Sequence, residues 1–170
     1  AVTSATLIVS ATDNGNPALS SNATVTVAIT DVNERPVIAD QSFTVAENAV
    51  LGTVVGTVVS ADVDAGQTRT YAITASAPIT GAFAIDAVTG AITVADGSLL
   101  SFESISAVAL TVTVTDSGNP ALSASAVVVV TLTDVNEAPT IAKQSFSIAE
   151  NTLNTNRLGF VTGSDVDAGQ

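Results

Sequence analysis

The sequence predicts an all-β protein: tandem immunoglobulin-like Greek-key β-sandwiches with seven strands per repeat. Three observations carry this. First, apolar and small polar residues alternate with period two, as where Val108, Leu110, Val112 and Val114 interleave with Ala109, Thr111, Thr113 and Thr115. Second, turn signals separate such runs, at Ala65-Gly66, Thr89-Gly90, Asp96-Gly97 and Ser117-Gly118-Asn119-Pro120. Third, the chain is self-similar at a spacing of 103 residues, so that Asp13, Asp31, Glu34, Glu47, Asp62 and Asp64 recur as Asp116, Asp134, Glu137, Glu150, Asp165 and Asp167.

With Asp-Val-Asn-Glu as the end of a unit, one complete repeat covers residues 35–137, a length suited to a single core. Residues 1–34 match its C-terminal part and residues 138–170 its N-terminal part, so both ends are expected to cut through repeats. Strands are expected in order near Phe43–Val45, Thr53–Val59, Thr70–Thr74, Phe83–Ile85 and Ala91–Val94, then in the alternating run ending at Thr115. The last, Val127–Thr133, holds four consecutive valines and has no phase of its own. Its earlier copy, Thr24–Thr30, supplies one: Val25, Val27 and Ile29 correspond to Val128, Val130 and Leu132, which should face the core. No stretch has helical periodicity. Seven short strands in such a length fit the sandwich, and an odd number places the two ends of a repeat at opposite poles.

Charge narrows the possible partners. The net charge is −12, with Arg35, Arg69, Lys143 and Arg157 as the only cations, so nucleic acid and anionic membrane surfaces are excluded as partners. The hydrophobic content of 46% and the Val/Ile/Thr runs argue for folded β structure rather than an acidic disordered chain. No apolar run is long enough to span a bilayer, so this segment is not expected to insert into a membrane. Without cysteine there can be neither a disulfide staple nor a thiolate metal site.

The carboxylates are concentrated at repeated positions. Asp62-Val63-Asp64 and Asp165-Val166-Asp167 each set two acids on one side of an extended segment. Ca²⁺ takes six to eight hard oxygen ligands, and acids packed this closely repel unless a cation holds them. Twelve of the sixteen acidic residues form such repeated pairs and Glu103 sits with them at the motif positions, leaving Asp40, Asp86 and Asp96 outside. Acidity serving only solubility would scatter over strand faces and turns. Asp86 and Asp96 precede turns and should shape them.

Taken in order, Ala46-Glu47-Asn48, Asp62-Val63-Asp64, Asp116-Ser117-Gly118-Asn119-Pro120 and Asp134-Val135-Asn136-Glu137-Ala138-Pro139 resemble a cadherin repeat. So does the hairpin Phe83-x-Ile85-Asp86-x-x-Thr89-Gly90-x-Ile92. The resemblance covers the whole chain, and its Thr/Ala-rich strands are similar in style to bacterial cadherin-like arrays of large secreted or surface adhesins. It implies Ca²⁺ at every junction between repeats. At the second junction the upper repeat would contribute Glu47 and Glu103, the linker Asp134, the Asn136 carbonyl and Glu137, and the lower repeat Asp165 and Asp167. At the first, Asp31, Asn33 and Glu34 would meet Asp62, Asp64 and Asp116, while Asp13 and Glu150 would serve junctions further out. The family linker is a residue longer than this one, and its Leu-Asp-x-Glu element appears as Leu100-Ser101-Phe102-Glu103. These departures predict two ions per junction, or three with the one nearest Ser101 held weakly.

The expected function is therefore an extracellular, cell-surface array that Ca²⁺ at its junctions stiffens into a stalk or adhesin, with a spacer role favoured for these repeats. Neighbouring copies of the same protein and surface glycans are the partners considered. A glycan-binding accessory module of a secreted enzyme is an alternative, although the chain has no Trp and one Tyr to stack on sugars, and Tyr71, Phe43 and Phe83 read as core. A subunit of an extracellular filament is another. No enzyme is expected: there is no His, no Cys and no phosphate loop, and a catalytic acid pair would not recur at every joint.

Overall fold

The computed structural model describes residues 3–152 and 157–167, and all of its regular structure is β apart from one short 3₁₀ turn. Strands β1 (Ser4–Thr12) and β2 (Ser20–Ala28) form an antiparallel hairpin with Leu7 opposite Val25. The segment expected to form the complete repeat, residues 35–137, contributes β3 (Val37–Ile38), β4 (Gln41–Ala46), β5 (Val54–Thr57), β6 (Ser60–Ala61), β7 (Arg69–Ala77), β8 (Phe83–Ile85), β9 (Ala91–Val94), β10 (Ala107–Asp116) and β11 (Ser123–Thr133). Short β12 (Thr140–Ile141) and β13 (Gly163–Ser164) pair beyond it.

Two sheets close the sandwich. One has the order β4-β11-β10-β7 and the other β5-β9-β8, while β3 pairs with β6 at the edge. The alternating run works as its pattern requires: Val108, Leu110, Val112 and Val114 on β10 are buried, as are Val128, Val130 and Leu132 on β11. Ile92, Val94, Phe83 and Tyr71 meet them from the other strands. All seven expected strands are present. The β3–β6 pair is an addition, because two-residue strands carry no period to read. Asp86 shapes its turn by accepting from the backbone N–H of Val88 (3.0 Å) and Thr89 (2.7 Å), and Asp96 caps the 3₁₀ turn through Ser98 N–H (3.0 Å).

Strand β4 pairs with β11 in parallel, Phe43 opposite Val130. The first and last strands of this sheet therefore run the same way, so the chain enters the repeat at one pole and leaves at the other. That places one linker at each pole. The phase taken from the earlier copy is correct for β11. Its counterpart is more open, with Val25 and Val27 on β2 and Ile29 just after it between 43% and 49% exposed, because among the described residues β1 and β2 have no opposing sheet.

Candidate metal centre at the repeat junctions

At the second junction the linker leaves β11 and runs between Glu47, at the end of β4, and Asp167. Glu47 is 4% exposed, and its two oxygens are used separately. Oε2 accepts from Phe102 N–H at 2.7 Å and Oε1 from Val135 N–H at 2.8 Å. One side chain thus ties the loop carrying Glu103 to the first residues of the linker. From the other side Asp167 Oδ2 accepts from Glu137 N–H at 3.0 Å, and Asp165 Oδ1 accepts from Asp167 N–H at 3.1 Å. The Asp-x-Asp motif is a small turn in which one acid orders the other.

These bonds draw five of the seven expected residues into one cluster. Carboxylate oxygens of Glu47, Glu103 and Glu137 lie within 4.8 Å of one another, as do those of Glu103, Asp134 and Asp167, so Glu103 is common to both groups. Ser101 donates its hydroxyl to Glu103 Oε2 at 3.2 Å, supporting from behind the residue that both groups share. Asp165 acts through Asp167, and Asn136 turns its side chain to its own linker, donating to the Glu137 carbonyl at 3.1 Å.

Electrostatics fit a cation. Glu137 Oε2 and Asp167 Oδ1 are buried without a hydrogen-bond partner. Burial, the neighbouring carboxylates of Glu47 and Glu103, and a shared hydrogen bond with Asp167 push Glu137 up to about 7. Burial and the charges of Asp167, Glu47 and Glu103 also raise Asp134. Buried anionic oxygens that lack a donor are the groups a hard cation satisfies.

The first junction repeats the lower half of this arrangement. Asp64 Oδ2 accepts from Glu34 N–H at 2.9 Å and Asp62 Oδ1 from Asp64 N–H at 3.0 Å, while Asp62 Oδ2 is buried and unpartnered. A hydrogen bond to Asp64, burial, and the charges of Asp64, Asp31 and Asp62 raise Glu34. Asp116 is reached through Asn33, whose Nδ2 donates to Asp116 Oδ2 at 3.2 Å. Burial would raise Asp116, but N–H donation from Leu122 and Gly118 and the Asn33 amide outweigh it and hold it low. Asp13 makes the same turn as Asp116, accepting from Gly15 and Leu19, and is exposed. Glu150 is also exposed, and neither joins a cluster of three acids among the described residues.

One participant, Gln67, was not singled out from the sequence, and Gly118 was read there only as part of a turn. Gln67 donates Nε2–H to Asn33 Oδ1 at 2.6 Å, and Gly118 lies flush against the Asn33 side chain. The signal was present, since Asp-Val-Asp-Ala-Gly-Gln occurs at residues 62–67 and again at residues 165–170, but a search for charge passes over an amide. The three aromatics expected in the core lie there: Tyr71 and Phe83 are buried in it and Phe43 packs against it.

Residues 41–133 match the cadherin domain family. Human Protocadherin-7 is 32% identical over 96% of the chain, and Protein dachsous of Drosophila melanogaster is 39% identical over 99% of it. The chain spans 16% and 5% of those two proteins. The crystal structure of the Protocadherin GammaB4 extracellular domain superposes over 98% of the chain and 29% of its own length, with a TM-score of 0.73 and 27% identity. The chain belongs to the cadherin family, as an extracellular run of adhesion-type repeats.

Proposed function

We propose that these repeats form part of a cell-surface array whose joints are stiffened by Ca²⁺, with residues 35–137 as one repeat between portions of its two neighbours. The carrying observation is the pair of buried, unpartnered oxygens, Glu137 Oε2 and Asp167 Oδ1, on acids that come from the linker and from the repeat beyond it. At the second junction Glu47, Glu103, Asp134, Glu137 and Asp167 would hold the ions, with Asp165 orienting Asp167. At the first, Asp62, Asp64, Asp31, Glu34, Asn33 and Asp116 are the corresponding set, and Asp13 and Glu150 would serve joints further along. Bound calcium supplies positive charge shared between acids of two repeats. The two acid groups meeting at Glu103 favour two ions at the second joint, with no independent group beside Ser101 for a third among the described residues.

The protein's own contribution is preorganisation. Glu47 and Asp167 grip the linker through the backbone N–H groups of Val135 and Glu137, which brings the acids together. Extracellular calcium modules have Kd on the order of 10⁻⁴–10⁻³ M, so stiffness would track the calcium of the surrounding fluid. The role is mechanical, because the acid sets recur at successive joints, where a catalytic pair would not.

Thermal unfolding and solution scattering of the chain, in calcium and in chelator, test the reading. A higher midpoint and a longer, narrower distance distribution in calcium are expected. Identical curves in the two conditions would overturn it.

A further inference from the structure

The sandwich begins with an interrupted strand. β3 ends at Ile38 in its pair with β6, and β4 begins at Gln41 in the other sheet, beside β11. Ala39 and Asp40 cross between the two and belong to neither ladder, so each ladder reaches a backbone group with no strand opposite it. Two successive side chains, which point opposite ways on extended chain, supply the partners. Asp40 Oδ1 accepts from Val127 N–H at 2.8 Å, one residue before the β4–β11 register begins at Val128. Gln41 turns to the other side. Its Nε2 donates to the Val59 carbonyl at 3.1 Å and to the Ala39 carbonyl at 3.3 Å, while Oε1 accepts from Val59 N–H at 2.9 Å. A carboxamide carries the donor and acceptor of a peptide group. By exchanging bonds with both backbone groups of Val59, the residue before β6, Gln41 adds one rung to a two-residue ladder.

The same device recurs 103 residues on. β12 and β13 repeat β3 and β6, and Gln144 Nε2 donates to the Thr162 carbonyl at 3.1 Å. There Lys143 stands where Asp40 stood, and among the described residues β7 to β11 have no counterpart after β12. The short pair and its glutamine thus occur without the acid and without the second sheet.

From this we propose that Gln41 is the latch of a strap, residues 36–41, which opens and closes on β6 as a unit separate from the sandwich core. Little else holds the strap: two backbone pairs, buried Pro36 and partly buried Ile38, with Val37 63% exposed. Segments with so few contacts open at low cost while the core stays closed. The strap also carries the linker. β3 starts three residues after Glu34, and Asp62 follows β6 directly. Closed, it keeps Glu34 N–H on Asp64 Oδ2 at 2.9 Å. Open, it lets the linker slide past that motif while Val108, Leu110 and Val130 stay packed. Gln41 is a positioning residue that acts through Val59 and β6.

The latch rests on the proposed junction only for what the strap carries, and the calcium-induced shift in unfolding midpoint tests that junction separately. The strap is read by native-state amide hydrogen exchange of the whole chain, followed by NMR. In Gln41→Ala, the N–H groups of Val59 and Glu34 should exchange at least about tenfold faster, a factor within reach of the hydrogen bonds removed. The β10 amides should keep their rates. Gln144→Ala changes a residue outside the sandwich, so it tests the device even if Gln41→Ala does not fold. It should speed exchange in β12 and β13 and leave Val59 as it was. An unchanged Val59, an unchanged Glu34 beside a faster Val59, β10 amides accelerated by the same factor, or β12 and β13 indifferent to Gln144→Ala would overturn the proposal.

Discussion

Glu137 combines burial, three acidic neighbours and a backbone N–H given to Asp167, and the result can be measured. Its folded pKa, about 7, lies above the ordinary 4.5. For a raised carboxyl, the contribution to stability is fully present below the unfolded value and is lost as pH rises through the folded one. In chelator the midpoint of unfolding should therefore fall between about pH 5 and pH 8, with Glu34 and Asp134, also raised, acting in the same sense. Calcium needs the ionised form, so the calcium-induced gain in midpoint should grow over the same interval. A midpoint in chelator that rises across it would contradict the geometry of the cluster. Glu47 offers a second test, since each of its oxygens accepts a backbone N–H. In chelator Glu47→Ala should cost about 1–3 kcal/mol by denaturant unfolding, because Phe102 and Val135 lose their acceptor. Glu47→Gln, which keeps one acceptor, should cost less.

At the scale of elements, the strands were legible wherever sequence and packing share a period. β8 and β9 match their expected bounds, and the buried faces of β10 and β11 follow the alternation residue by residue. β3 and β6 were not legible, because two residues set no period and their pairing depends on the third dimension. The acid cluster was legible because the same carboxylates occur at both joints. The contacts of Gln67 and Gly118 with Asn33 were not, because an amide and a glycine carry no charge pattern and are brought together by two loops. Gly90 shows what a turn signal encodes. Its φ of +73° suits glycine, and an added Cβ would sit 3.1 Å from the Val58 carbonyl and 3.4 Å from the Tyr71 ring. Gly90→Ala should lower stability by at least about 1 kcal/mol, since the left-handed conformation alone costs that much. A neutral result in urea unfolding would mean that the β8–β9 hairpin relaxes more freely than its contacts suggest. The positive φ at Gly52, with open space around it, makes Gly52→Ala a control for backbone strain without crowding.

For the whole molecule, what matters is where the net charge of −12 sits. The outward residues of β10 are Ala and Thr, so the strand face is neutral while the poles are acidic. Self-repulsion is then concentrated at the joints. Without calcium, added salt should relieve it, because the screening length shortens from about 30 Å at 0.01 M to about 8 Å at 0.15 M. The unfolding midpoint in chelator should rise with NaCl over that range. With calcium near its dissociation constant the sign should reverse, since the same screening weakens attraction between the ion and the cluster. Two salt titrations monitored by calorimetry, one in chelator and one in limiting calcium, decide the matter. Curves of opposite slope are the outcome required by charge held at joints and neutralised there by an ion. Parallel rising curves would mean that salt acts on the sandwich as a whole, through burial of its apolar core, and that the poles carry little of the electrostatic strain.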